Sequence, residues 1–200
     1  IGVSGGIMDQ MVSSIGIHGK AFFLDCLTLK HELIDLPNNY CFELIDSDVQ
    51  RDNRVSAYNE RHDQLKKAEE ILKVENLGSV KIDQLNKNKF DDLIIYKRTL
   101  HVVTENQRTL DAKKNLLKQD MKKFGHLMNL SHSSYSKDFE ASTKDVDLLT
   151  KRSIESGALG CRLTGGGFGG FTVSLIAKKD YEQWNKKMSK HYSSDKFFKV

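Results

Sequence analysis

The sequence predicts an α+β protein, and three observations carry that expectation. Short apolar and aromatic runs between residues 21 and 45 are separated by turn residues. From residue 57 to residue 156 the apolar period changes to that of helices. Strand patterns then return at 171–177 and 196–200. Sheet pieces therefore stand at both ends of a helical middle.

Residues 7–15 read as a short helix, because Ile7, Met8, Met11, Val12 and Ile15 keep helical spacing. Asp9 falls in its first turn, where the helix dipole favours a carboxylate. Strand patterns follow at 21–26 and 30–36, then the turn Pro37-Asn38-Asn39 and a third strand at 41–45. Such short connections predict an antiparallel meander of three strands. Residues 57–74 form a charged helix with Leu65, Ala68 and Leu72 on its apolar stripe. A short loop-and-helix piece at 80–90 leads to a long helix at 91–117, with room for one break. Asp120 caps the next helix, 120–130. Another helix at 143–156 turns Val146, Leu149 and Ile154 inward. Residues 181–192 read as a surface helix.

Two hundred residues suit one domain or two small ones. With 38% hydrophobic and 29% charged residues, the chain is neither collagen-like nor disordered. No apolar run approaches the ~18 residues a membrane helix needs. The net charge of +4 is spread along the chain rather than gathered in a patch, which argues against a nucleic-acid partner. Cys26, Cys41 and Cys161 show neither metal spacing nor a disulfide framework, as suits a reducing cytoplasm. No signal-peptide pattern opens the chain. It begins with Ile1 rather than Met, as if cut from something longer.

Seven of the 14 glycines fall between Gly157 and Gly170. The stretch Gly160-Cys161-Arg162-Leu163-Thr164-Gly165-Gly166-Gly167-Phe168-Gly169-Gly170 is the strongest feature of the sequence. Such loops offer successive backbone N–H groups to an anion, and a Cβ would block both the turn and the approach. The plain alternative is a tight β turn with close strand packing. A dinucleotide fingerprint needs a helix after the glycines, and a strand pattern follows here. The phosphate-binding loop of nucleotide hydrolases ends in Gly-Lys-Ser/Thr, which is absent.

Other constellations are weaker. His101, His126 and His132 are separated by 25 and 6 residues, present no common helical face and predict no metal site. Ser131-His132-Ser133 lacks a third member for nucleophilic catalysis. Glu105 and Arg108, three apart, read as a helix-surface pair. Arg162 either reaches a phosphate or pairs with a buried acid.

The stretch from Gly160 to Gly170 resembles the third motif of the GHMP kinases, in the form carried by galactokinases, Gly-x-Arg-Met-Thr-Gly-Gly-Gly-Phe-Gly-Gly. Leu163 stands where that form has Met. The likeness runs in order along the chain: Gly6-Ile7-Met8-Asp9-Gln10, Leu24-Asp25-Cys26, Tyr58-Asn59-Glu60-Arg61, His101-Val102-Val103-Thr104-Glu105-Asn106 with Arg108, and Gly125 with Leu127-Met128 and Ser131-His132. Gly5 and His62 depart from the family pattern, which has Cys and a second Arg there.

The resemblance implies the two-domain GHMP kinase fold. Residues 1–32 would be the remainder of the N-terminal domain and carry the catalytic Asp. Residues 33–200 would be the C-terminal domain, a ferredoxin-like α/β sandwich with the glycine-rich motif. The implied reaction transfers the γ-phosphoryl group of ATP to the anomeric hydroxyl of D-galactose, giving galactose 1-phosphate. Asp9 is the implied catalytic residue, as base or orienting charge. Gly6 would let the chain pass close to the sugar, and Tyr58 would hydrogen-bond it. Gly165, Gly166 and Gly167, preceded by Arg162 and Thr164, would shape the cleft beside sugar and phosphate. The family's Arg-x-Asn-Leu-Ile-Gly-Glu-His and Gly-Leu-Ser-Ser-Ser-Ala segments are not among these residues, so Mg²⁺ ligands are expected outside them. The chain alone is therefore expected to be inactive. GHMP sugar kinases acting on N-acetylgalactosamine, arabinose or a uronic acid, and a non-catalytic galactose sensor, are the alternative readings. A monomeric, cytoplasmic protein without nucleic-acid or membrane partners completes the expectation.

Overall fold

The structure is a computed structural model that describes residues 7–49 and 54–200. Helix α1 (Met8–Ile15) leads into a hairpin of β1 (Lys20–Leu24) and β2 (His31–Asp35), paired antiparallel from Lys20↔Asp35 to Leu24↔His31. β3 (Tyr40–Asp46) comes next, followed by the helices α2 (Arg54–Leu72), α3 (Leu93–Leu117), α4 (Met121–Lys137) and α5 (Lys144–Ser156). β4 (Gly160–Leu163), β5 (Phe171–Ala177), α6 (Tyr181–Met188) and β6 (Phe197–Lys199) close the chain. A four-stranded antiparallel sheet has the order β4-β5-β3-β6.

The expected three-strand meander is corrected here, because β3 does not pair with β2. It pairs along its whole length with β5, from Tyr40↔Ala177 to Asp46↔Phe171. The reason lies in its side chains. β3 carries apolar side chains on both faces, with Glu43 buried between Cys41 and Ile45, and suits a central strand covered on both sides. Cys41 and Ile45 join Leu149, Ile176, Trp184 and Met188 in the core under α5 and α6. Phe42, on the opposite face, packs with Leu175, Met121 and Met128. Residue 32, where the sequence reading divides the chain, lies inside β2.

Three smaller expectations are also corrected. α3 is one unbroken helix, started by the Asp92 carboxylate accepting from the Ile94 amide. α6 is not only a surface helix: Trp184 and Met188 are fully buried, and the Trp184 indole donates to the Ser153 carbonyl. Ile154 is exposed, and Thr150 and Ser153 are buried instead, Thr150 against His132 of α4 and Ser153 against Ser174 of β5. No described helix is long and apolar enough to cross a membrane.

α4 lies along the open edge of β4. A bare strand edge leaves N–H and C=O groups unpaired, and proteins cover such edges. Here two side chains one turn apart on α4 act as a substitute strand. Asn129 donates to the Leu159 carbonyl (3.2 Å) and accepts from the Cys161 amide (2.9 Å). His132 Nδ1 accepts from the Leu163 amide (3.3 Å). The helix comes this near because glycines meet at the contact. A Cβ on Gly160 would stand 2.4 Å from the Gly125 carbonyl oxygen, and one on Gly125 would stand 2.6 Å from that of Leu159.

Candidate functional site

An open cleft of about 650 Å³ is lined by Asp9 from α1, Tyr58 and Arg61 from α2, Arg162 from β4, and Thr164, Gly165 and Gly166 from the β4–β5 connection. His101, Tyr135 and Phe139 form part of its wall. The fold thus gathers residues that lie more than 150 positions apart in the sequence. Asp9 is exposed and Tyr58 half-buried, and both line the opening. Gly6 lies outside the described residues.

The glycine loop closes through the Thr164 amide, which donates to the Phe171 carbonyl at 2.9 Å. Gly165 (φ +80°), Gly167 (φ +86°), Gly169 (φ +113°) and Gly170 (φ +91°) take left-handed backbone conformations. A Cβ on Gly167 would also stand 2.4 Å from the Ala141 carbonyl oxygen, so both φ and space require glycine there. Among the described residues, no acceptor takes the amides of Gly165, Gly166 and Gly167. Gly165 and Gly166 face the cleft. A row of free N–H groups on a glycine bend suits an anion.

Arg162 is held by an acid. Its Nη1 donates to Glu105 Oε1 (3.0 Å) and its Nε to the Leu163 carbonyl (3.0 Å). Glu105 also accepts from Arg108 Nε (2.7 Å) and from the Ser131 hydroxyl. The Glu105–Arg108 pair is therefore not the surface pair expected from spacing. It is a mostly buried junction of α3, α4 and β4. Burial pushes the Glu105 carboxyl up, but Arg162, Ser131 and Arg108 more than reverse this and hold it below the usual carboxylate range.

His101 accounts for another part of the wall. Its Nδ1 lies 3.0 Å from the Ser134 hydroxyl, and its ring packs against Tyr135 and Phe139. Burial holds its pKa down at about 4, with Glu105 opposing and Arg108 and Arg162 adding to the shift. The unfolded chain would take up that proton nearer pH 6.5. The imidazole's contribution is thus intact above about pH 6.5 and is lost as pH falls toward 4, roughly 3 kcal/mol in all. Burial lowers the His132 pKa too, with Asp147 opposing, so His132 acts in the same direction. The urea midpoint is expected to fall steadily between pH 7 and pH 4.5, and His101→Gln should flatten that fall. A flat wild-type profile would contradict this account.

His132 is in its neutral form with a fixed tautomer. Nδ1 accepts from Leu163, so Nε2 carries the hydrogen toward Thr150 Oγ (2.9 Å) and Asp147 Oδ1 (3.2 Å). It is a structural histidine at the start of the glycine loop.

Comparison with known proteins matches the same arrangement. Residues 112–192 match the family described as GHMP kinases C terminal. The galactokinase of Streptococcus mutans is 39% identical over 188 residues, which are 89% of this chain and 48% of that protein. The Lactobacillus helveticus galactokinase is 36% identical over 200 residues, 96% of this chain and 52% of that protein. The crystal structure of Lactococcus lactis galactokinase complexed with galactose superposes with a TM-score of 0.91 at 30% identity, over 99% of this chain and 54% of that one. Residues 112–192 are therefore a GHMP kinase C-terminal domain. The chain spans about half the length of the galactokinases it matches. The crystal structure of L. major mevalonate kinase in complex with R-mevalonate shares the fold at 17% identity and a TM-score of 0.57.

Sequence reading named Asp9, Tyr58, Arg162, Thr164 and the glycines, and of those among the described residues all but Gly167 line the cleft. Gly167 is buried behind it, against Ala141 and Tyr135. The wall residues Tyr135 and Phe139 were missed. They carry no local signal beyond a spacing of one helical turn. Arg61 stood in a motif without an assigned task.

Proposed function

We propose that this chain forms the sugar side and glycine-loop wall of an ATP-dependent galactokinase. The whole enzyme would transfer the γ-phosphoryl group of ATP to the anomeric hydroxyl of D-galactose. The division into an N-terminal remainder (1–32) and a C-terminal domain (33–200), together with a monomeric state and a cytoplasmic location, belongs to the same reading. The observation that carries it is the single cleft holding Asp9, Tyr58 and the glycine loop in a chain so similar to galactokinases.

Phosphoryl transfer demands positioning and charge stabilisation more than covalent chemistry. The Asp9 carboxylate accepts a hydrogen bond from the anomeric hydroxyl and orients its oxygen toward the γ-phosphorus. The proton passes to Asp9 as the new O–P bond forms and the bond to the ADP oxygen breaks. Tyr58 hydrogen-bonds the sugar. The free amides at Gly165 and Gly166 offer donors to phosphate oxygens beside it. Arg162 serves this wall through its bond to Glu105 rather than as an unattached cation. ATP would bring Mg²⁺ to neutralise phosphate charge. Among the described residues no group of three or more His, Cys, Asp or Glu could hold a metal ion, so no step is assigned through it in this chain.

The 200 residues alone are expected to give no ATP-dependent galactose 1-phosphate, because a Gly-Leu-Ser-Ser-Ser-Ala nucleotide segment is not among them. The same residues within a chain of the relatives' full length are expected to turn over galactose. An ADP-release assay checks both. Turnover by the 200 residues would overturn this division of labour. An extended protein inert toward galactose would overturn the reading itself.

A further inference from the structure

The corner between α4 and α5, residues 134–141, stands directly behind the glycine loop. Two arginines on other helices grip it. Arg61 of α2 donates through Nε to the Phe139 carbonyl (2.8 Å) and through Nη2 to the Glu140 carbonyl (3.1 Å). Arg98 of α3, only 2% exposed, donates through Nη1 to the Asp138 carbonyl and through Nη2 to the Glu140 carboxylate (2.7 Å). Three successive carbonyls are thus fixed by two guanidinium forks, a task that suits their rigid planar geometry.

The next residue hands this order on. The Ala141 carbonyl accepts from the Phe168 amide at 2.7 Å, in the middle of the glycine loop. It also lies so close to Gly167 that no side chain fits between them. Tyr135, in the same corner, donates its hydroxyl to the Gly165 carbonyl (3.4 Å). Arg61 itself lies 5.8 Å from the centre of the Phe168 ring. Both sides of this contact are backbone-strained: Glu140 (φ +51°) and Phe168 (φ +58°) are non-glycine residues in the left-handed region. Such conformations persist only where the surroundings over-determine them. The two arginines supply that on the Glu140 side, and Ala141 supplies it on the Phe168 side.

We propose that Arg61 and Arg98 are positioning residues for the glycine loop. By clamping carbonyls 138–140 they hold the Ala141 carbonyl where it sets the loop's form, and with it the phosphate-facing wall of the cleft. This inference deepens the galactokinase reading, but its test reads the loop itself, so the two can fail separately.

The test is amide hydrogen exchange followed by NMR on the 200-residue chain. In the wild type, the Ala141 and Phe168 amides are expected to open together, with one opening free energy and one denaturant dependence. In Arg61→Lys, a point charge replaces a fork that spans two carbonyls. Exchange at Phe168 is expected to rise at least tenfold while the amides of α5 and of the β3–β5 ladder stay within twofold. Separate opening of Ala141 and Phe168 in the wild type overturns the proposal. So does an Arg61→Lys chain in which Phe168 is unchanged or every amide quickens alike. Separate opening in the wild type overturns the proposal even where the variant does not fold.

Discussion

Asp9→Asn, in a chain of the relatives' full length, is expected to lower kcat by roughly 10²- to 10⁴-fold, the usual share of a positioned proton acceptor. The change keeps size and polarity and removes only the negative charge. Asp9 is exposed on the first turn of α1 and lines the cleft, so the fold itself should hardly notice it. The sugar KM is expected to move less than kcat, because asparagine still hydrogen-bonds a hydroxyl. A loss confined to kcat marks an interaction realised in the transition state. Steady-state kinetics of the two proteins, with circular dichroism to show equal folding, are the check. A kcat within tenfold of wild type would remove Asp9 from the proton's path and leave it an ordinary first-turn acid.

Gly160→Ala is expected to be strongly destabilising although its backbone needs no left-handed conformation. The new Cβ would lie 2.4 Å from the Gly125 carbonyl oxygen and 2.7 Å from its Cα. Both are backbone atoms, which cannot swing aside. α4 would have to retreat from β4, and the Asn129 and His132 bonds that cover the strand edge would stretch with it. Overpacking of this kind costs about 3 kcal/mol or more. For a chain of this size that lowers Tm by about 10 °C. Gly165→Ala makes the contrast. Nothing lies within 4 Å of its would-be Cβ, so only its φ of +80° resists the change, at roughly 1–2 kcal/mol. Thermal unfolding of the two variants should therefore separate steric need from conformational need. Equal melting temperatures would refute the close-contact account of Gly160.

Much of the architecture was legible in order along the chain. The stripe of Leu65, Ala68 and Leu72 marked α2, and it packs into the core formed with α3. Asp120 caps α4 as its type and place foretold, accepting from the Lys123 amide. These are local effects, decided by spacing and by one side chain reaching three residues along. The helix end was missed by about two turns: α4 runs on to Lys137, because Ser131 and Ser134 are polar yet buried against Glu105 and His101. Polar residues on an inward face hide a helix from a reading built on apolar period.

What the sequence determined by itself is the list of parts. It set the α+β order of elements, the glycine-rich bend that only glycine can make, and the motifs by which the chain resembles the GHMP kinases. The tertiary structure alone decided which parts meet. It sent β3 to β5 instead of β2, paired Arg162 with Glu105, and stood the Arg61–Arg98 clamp behind the glycine loop. The reason is range. Turns and caps answer to neighbours a few positions away, whereas these contacts join residues 40 to 137 positions apart and exist only once the chain has folded around them.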